Sequence, residues 1–415
     1  MSVEDIQARI DRLSAEIERH KDAIDQLEHS KSAAQRELNA IHDPVARLPL
    51  EISSEIFLQC LSFSLEPKPL AAPMLLLNIC NAWTNIALST PALWTAISNS
   101  FPCDELLQAW LQRARAYPLS VVIVGYVEDR VRAILGKYST QFKHLEIFSE
   151  EPHLDPFLAI GPFPCLETLE IGSFSEDSDE PYDVSMTQII DLLRLAPNLV
   201  ECTFNDIPTI PDHGSVTEVF VTVPKLQALM FGKTTNLSEL ESHDDILCFI
   251  TLPALTTLFL SLDFIAIDHF LLFLERSLPP LKKLGMGLGC LNCPFVELKK
   301  CLRLVPSLTH LELCIASTDL LLALASFPSD FLPNLQSLKI RHSFETVAIG
   351  TDAVYQAILD ALSNRRTQLR NFDFRGDAIG PLAHKVYNAL KQLCADGAEI
   401  YIGTDDYNLL DVGAL

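Results

Sequence analysis

Cys290 and Cys293 stand three positions apart in GCLNCP, the spacing of half a zinc site. No second Cys or His pair follows at a suitable distance, so no metal is expected there. Gly285, Gly287 and Gly289 do not follow GxGxxG, and Gly136-Lys137 lacks the upstream glycine of a phosphate loop. Neither offers the run of backbone N–H groups that cradles a phosphate. There is no GxSxG, and no set of Ser, His and Asp is spaced as a nucleophile with its base. No catalytic residue and no cofactor is read from the sequence, and the protein is expected not to be an enzyme. The acidic run SFSEDSDEP, residues 173–181, carries Ser175 and Ser178; it reads as a solvated loop, with phosphorylation or a basic partner as the functional alternative.

Composition narrows the classes further. The 415 residues are 48% hydrophobic and 20% charged, enough to bury a sizeable core. A formal net charge of −23 opposes general affinity for nucleic acid or anionic membrane, because phosphate binding needs clustered Lys and Arg. The 11 cysteines lie mostly inside apolar stretches such as LNICNAW, which fits buried thiols in a reducing compartment. MSVEDIQARIDRL lacks the pattern of a signal peptide. The most apolar region, residues 246–274, is interrupted by Pro253, Asp263 and Asp268, short of a membrane span. A cytoplasmic or nuclear protein is expected.

The elements that must position any binding residues fall into three regions. From Val3 to Ile41 apolar residues alternate spacings of three and four: Val3, Ile6, Ile10, Leu13, Ile17, Ile24, Leu27, Ala34, Leu38 and Ile41, with His20 and Lys31 as polar interruptions. Residues 1–43 therefore read as a coiled-coil helix, pairing with a second copy through residues 3–41 or folding back on its own chain.

Residues 44–101 read as a small domain of three short helices. Pro49 suits a first helical turn, and Glu51 faces the positive end of the dipole. Ile52, Ile56, Phe57, Cys60 and Leu61 follow at helical spacing, with Ser53, Ser54 and Gln59 opposite. After LEPKPLAAP, the stretch MLLLNICNAWTNIAL places Leu76, Ile79, Cys80, Trp83, Ile86 and Ala87 on one face of a second helix. Thr90 and Pro91 suit a cap and first position for a third, with Leu93, Trp94 and Ile97 facing inward. Only Arg47 and Lys68 are basic in this region, too few for a DNA-reading helix-turn-helix.

Residues 102–404 carry a period. Pro-x-Leu-x-x-apolar-x-apolar recurs at Pro164, Pro197, Pro224, Pro253, Pro279, Pro306 and Pro333, with spacings of 33, 27, 29, 26, 27 and 27. QFKHLEI and TQLRNFDF keep the apolar triplet without proline, and PLSVVIVG and AEIYIG resemble degenerate ends. Amphipathic segments such as MTQIIDLLRLA, IDHFLLFLERSL, FVELKKCLRLV and AVYQAILDALS precede the triplets. The unit is thus helix, turn, short strand, and about 8–10 units stack into an α/β solenoid with parallel strands inside and helices outside. Residues 405–415 read as a tail.

LPLEISSEIFLQCL followed by LLNICNAWTNIALSTPALW resembles the F-box of fungal proteins, matched at Leu48, Pro49, Glu51, Ile52, Ile56, Phe57, Leu61, Cys80, Trp83, Ile86, Ala87, Pro91, Leu93 and Trp94. The triplets that follow resemble leucine-rich repeats. The resemblance implies a substrate receptor of a cullin-RING ubiquitin ligase, whose F-box docks on a Skp-type adaptor and whose repeats hold a target protein. Leu48, Pro49, Ile52, Ile56 and Phe57 are the expected adaptor contacts. In the repeats, the Asn that the family places three residues after the triplet is replaced by Phe174, Thr234 and Ala316, so the loop backbones need other hydrogen-bond partners.

Strand alternation sends a central column onto the concave face: Glu146, Glu170, Thr203, Met230, Phe259, Gly285, Glu312, Lys339 and Asp373. Met230 and Phe259 form an apolar pair there, and Glu312, Lys339, Arg341 and Arg375 add charge, which makes these six the expected target contacts. The alternative is a non-catalytic coiled-coil and repeat scaffold whose F-box-like element binds no adaptor.

Overall fold

The computed structural model describes residues 3–42, 44–59, 72–99, 101, 103–149, 154–173, 184–205, 209–210, 220–231, 246–261, 267–288, 295–315, 331–342, 352–365, 368–376 and 380–412. The chain is α/β and divides into two compact units, residues 1–122 and 123–415. Twelve parallel strands make one sheet in which spatial order follows sequence order, an arrangement compatible with a solenoid.

In the first unit, Val3–His42 is a single 40-residue helix, α1, about 60 Å long at ~1.5 Å per residue. No Gly or Pro interrupts it. Its seam is open along its length: Ile6, Ile10, Leu13, Ile17, Ile24, Leu27, Leu38 and Ile41 are all exposed. No described part of the chain covers that stripe, as folding back would require.

Helix α2, Leu50–Gln59, starts one residue after Pro49, whose carbonyl accepts the amides of Ile52 and Ser53 at 3.1 and 3.0 Å. The stretch expected as one second helix is two. α3, Ala72–Leu76, ends in a turn, and α4, Asn81–Ser89, begins after Cys80, whose backbone is extended at φ −156 and ψ 169. Thr84 Oγ1 donates to the carbonyls of Leu77 and Cys80 at 2.9 and 3.0 Å, tying the two pieces together. The expected third helix is a single 3-10 turn, Pro91–Trp94, followed by strand β1, Ala96–Ser98. Thr90 does not cap it; its hydroxyl donates back to Ile86 O at 2.7 Å. Ile97 is buried as expected, but from a strand. Trp94 fills this core, donating from Nε1 to Ala87 O and meeting Trp110 of α5, Asp104–Ala114, edge-on at 4.8 Å.

Strand β2, Leu119–Val124, pairs with β1 and contains the division between the units. The ten strands after it are β3 Phe142–Ser149, β4 Thr168–Ser173, β5 Glu201–Asn205, β6 Ala228–Phe231, β7 Thr257–Ser261, β8 Lys283–Leu288, β9 His310–Ile315, β10 Ser337–His342, β11 Asn371–Gly376 and β12 Glu399–Gly403. The segments read as degenerate ends are full members of the sheet, and eleven of this sheet's strands lie within residues 102–404, where 8–10 units were expected. Each Pro-x-Leu leucine, from Leu166 to Leu335, is buried, as are Leu169, Cys202, Leu229, Leu258, Leu284 and Leu311 one position into the strands, and Leu145, their register counterpart on β3.

Among the described residues, a ladder of backbone hydrogen bonds links the turns that lead into successive strands. Glu167 N reaches Lys143 O, Val200 N reaches Glu167 O, Gln227 N reaches Val200 O, and the series continues through Thr256, Lys282, Thr309, Gln336 and Arg370 to Glu399, all at 2.7–2.9 Å. Asn198 Nδ2 donates to Pro164 O and Asn334 Nδ2 to Pro306 O, so the Asn of Pro-Asn-Leu supports the preceding turn. Phe174, Thr234 and Ala316 lie outside the described residues.

Helices precede several strands as expected: Met186–Leu195, Ile267–Ser277, Phe295–Arg303 and Asp352–Asn364. Among the described residues, two connections depart from that rule. Before β6 and β7 the described residues hold the two-residue strands Val221–Thr222 and Ile250–Thr251, paired in parallel, with a 3-10 turn at Ile246–Cys248. The β-branched residues Val221, Thr222, Val223, Ile250 and Thr251 favour this extended backbone over a helix. The segment read as a tail also folds: Gly403 bridges Asn408, and Leu410 is buried in the helix Leu409–Val412.

Candidate functional site

Two surfaces collect the expected binding residues, one in each unit. On α2 the helix presents a different face from the one its periodicity suggests. Ser53 and Phe57 are fully buried, while Ile52 is 51% and Ile56 40% exposed, alongside Leu48 at 41% and Leu50 at 47%. Ser53 can sit inside because its hydroxyl is within reach of the carbonyls of Val45 and Pro49, each 3.2 Å away; a hydrogen-bonded buried hydroxyl costs little. Ser54 donates to Thr90 Oγ1 at 2.8 Å, since the Thr90 proton is committed to Ile86 O. With both serines turned inward, the isoleucines are turned out.

Phe57 is therefore not placed as an adaptor contact. Its ring lies 4.8 Å from that of Trp83 and belongs to the core. Leu48, Ile52 and Ile56 are on the surface, joined by Leu50, which sequence reasoning missed, and Pro49 is exposed beside them. Cys60 and Leu61 lie outside the described residues, as do Cys290, Cys293, Ser175 and Ser178.

In the second unit, register places the outward column as strand alternation requires. Glu146 is opposite Glu170, and Glu170 opposite Thr203; Met230 opposite Phe259, and Phe259 opposite Gly285; Glu312 lies beside Lys339, which lies beside Asp373. Met230 and Phe259 are half-buried neighbours. A Cβ on Gly285 would collide with the Phe259 ring, so that ring lies across the glycine of the next strand. Phe148 lies likewise over Gly172.

The charged members differ in how committed they are. Arg375 is held by Asp373 and by Asp405, each at 2.9 Å, and covers the Tyr401 ring at 4.5 Å. These carboxylates hold its guanidinium above the ordinary range, so it is a structural clamp and not an available target contact. Lys339 and Arg341 approach Glu312 only to 4.0 and 3.9 Å and are about half exposed. His310 and Lys283, two residues earlier on β9 and β8, add to this basic end; burial, then Lys283 and Lys339, push the His310 imidazole down.

The opposite end is acidic. Burial, then the adjacent Glu170 carboxylate, push the Glu146 carboxyl above the ordinary range. Glu146 Oε2 is buried without a hydrogen-bond partner among the described residues. Glu170 accepts from Asn205 Nδ2 at 2.7 Å. His144, hydrogen-bonded to Thr168 at 2.5 Å, is pushed down, chiefly by burial. His144, Asn205, Lys283 and His310 were missed, although alternation two residues either side of the central column marks them.

Among the described residues no group of three or more His, Cys, Asp and Glu could hold a metal, and no helix is long and apolar enough to cross a membrane. Burial pushes the Cys202 thiol far up, away from nucleophile chemistry. Neither a scan against protein-family models nor a search of curated proteins finds a match to this chain.

Proposed function

We propose that this protein is a non-catalytic recognition subunit of a cullin-RING ubiquitin ligase, working in the cytoplasm or nucleus. An F-box-like element in residues 44–101 docks on a Skp-type adaptor, and leucine-rich repeats present the open sheet face to a target protein. The observation that carries the reading is the orientation of α2. A helix serving only its own core would bury Ile52 and Ile56 and expose Ser53, whereas this one does the reverse. A clustered apolar surface in an otherwise polar setting marks an interaction site, and the cluster coincides with the Leu48-Pro49-x-Glu51-Ile52 stretch on which the F-box resemblance rests.

The exposed seam of α1 supports pairing of two copies through residues 3–41, which gives the receptor two recognition faces. Co-purification of a Skp-type adaptor with the full chain tests the proposal, with Leu48→Ala/Pro49→Ala as the comparison. Adaptor recovery that depends on these residues is the expected result. An adaptor that never co-purifies leaves the scaffold reading in its place.

A further inference from the structure

The open face of the sheet in residues 123–415 has two electrically distinct ends with an apolar middle. Glu146 and Glu170 sit directly side by side on β3 and β4, with Glu201 exposed on β5. Like charges opposed on neighbouring strands work against the sheet; burial first, and then Glu170, raise the Glu146 carboxyl, whose Oε2 is buried without a hydrogen-bond partner among the described residues. At the other end, Lys283 and His310 are register partners, Lys339 and Arg341 approach the Glu312 carboxylate, and the Asp373 carboxylate beside Lys339 is held by Arg375. Met230 and Phe259 lie between, on β6 and β7.

We infer that this face binds one extended protein segment carrying a Lys or Arg for the Glu146–Glu170 pair, an apolar side chain for Met230 and Phe259, and an Asp or Glu for Lys339 and Arg341. A cation laid between Glu146 and Glu170 relieves their repulsion and supplies the missing donor, so the arrangement that is unfavourable alone becomes favourable when occupied. An incoming carboxylate at the other end meets Lys339 and Arg341, which approach Glu312 only to 4.0 and 3.9 Å. A segment of opposite polarity, or one with a single sign of charge, places like charges together at one end and is rejected.

The sheet sets the spacing of that segment. Glu170 on β4 and Lys339 on β10 are six strands apart, about 29 Å at ~4.8 Å per step. Extended chain at ~3.3 Å per residue covers this in about nine residues. Met230 and Phe259 fall two and three steps from Glu170, about 10–14 Å, which places the apolar residue three or four positions from the cation. The motif is therefore a cation, an apolar residue three or four positions on, and an anion about nine positions from the cation.

The inference rests on the sheet face being the recognition surface, and its test involves no adaptor, so it can fail or succeed independently of docking at α2. A random dodecapeptide library displayed on phage is selected on the full-length protein and on two variants, Glu146→Gln/Glu170→Gln and Lys339→Glu/Arg341→Glu. On the native chain the selected peptides are expected to carry the spaced cation–apolar–anion pattern. The first variant should lose the preference for the cation alone. The second should replace the anion by a cation at the same spacing, a gain that misfolding cannot imitate.

For a selected peptide labelled for fluorescence anisotropy, each double variant should weaken binding about five- to tenfold. Selected peptides with no spaced charge pattern, failure to select any peptide, or a pattern unchanged in both variants would overturn the inference.

Discussion

Replacing Ile52 and Ile56 together by alanine separates docking from folding, because the structure places these side chains outside the core and Phe57 inside it. Fully burying an Ile contributes about 1.5–3 kcal/mol. With 51% and 40% of the residues still exposed, covering them by a partner is worth roughly half of that each. The double variant should then lose roughly 1.4–2.7 kcal/mol of adaptor binding, about ten- to hundredfold in Kd. Its folding stability should change by no more than about 0.5 kcal/mol, as for other surface substitutions. Phe57→Ala empties a fully buried site against Trp83 and should cost about 3–5 kcal/mol of stability. Calorimetric titration of a purified Skp-type adaptor, paired with urea denaturation, reads both quantities. Unchanged adaptor affinity in the isoleucine variant, or a loss of stability comparable to that of Phe57→Ala, refutes the reasoning.

Further outcomes follow from single contacts. Gly285→Val should destabilise by about 1–3 kcal/mol because its side chain enters the space of the Phe259 ring, and Phe259→Ala in the same chain should recover part of that loss in a double-mutant cycle read by denaturation. Asn198→Ala removes the support of the Pro164 carbonyl and should cost about 1 kcal/mol by the same assay. Glu146 has its carboxyl raised on folding, so folding favours the protonated form and stability falls as pH rises from the ordinary 4.5 through the folded value. Glu146→Gln should accordingly raise the thermal midpoint at pH 7, with the difference vanishing below pH 4.5; an equal difference at both pH values would contradict this. Ile10→Asp/Ile17→Asp should convert a dimer into a monomer in sedimentation equilibrium without lowering the stability of the rest of the chain.

The parts of the fold that were legible are those in which one periodic signal decides the outcome. The three-four spacing from Val3 to Ile41 and the Pro-x-Leu triplets each specify their element without help from distant residues. What the pattern concealed was settled by hydrogen bonds. Leu76, Cys80, Trp83 and Ala87 keep helical spacing across a break, because both short helices pack on one core and Thr84 bridges the interruption.

On α2, apolar periodicity grouped Ile52 and Ile56 with Phe57 on one face; the carbonyls of Val45 and Pro49, which receive Ser53, leave the isoleucines outside while Phe57 is buried. Among target contacts, alternation located Met230, Phe259, Lys339 and Arg341 on one face. It could not show that Asp405, from the segment taken as a tail, returns to occupy Arg375.

The most direct test of the account is amide hydrogen exchange of the full-length protein with and without a purified Skp-type adaptor. Adaptor binding should slow exchange in residues 45–59, where Leu48, Leu50, Ile52 and Ile56 form the exposed surface. Saturating adaptor that leaves exchange across residues 45–59 unchanged would contradict the assignment of this helix as the docking element.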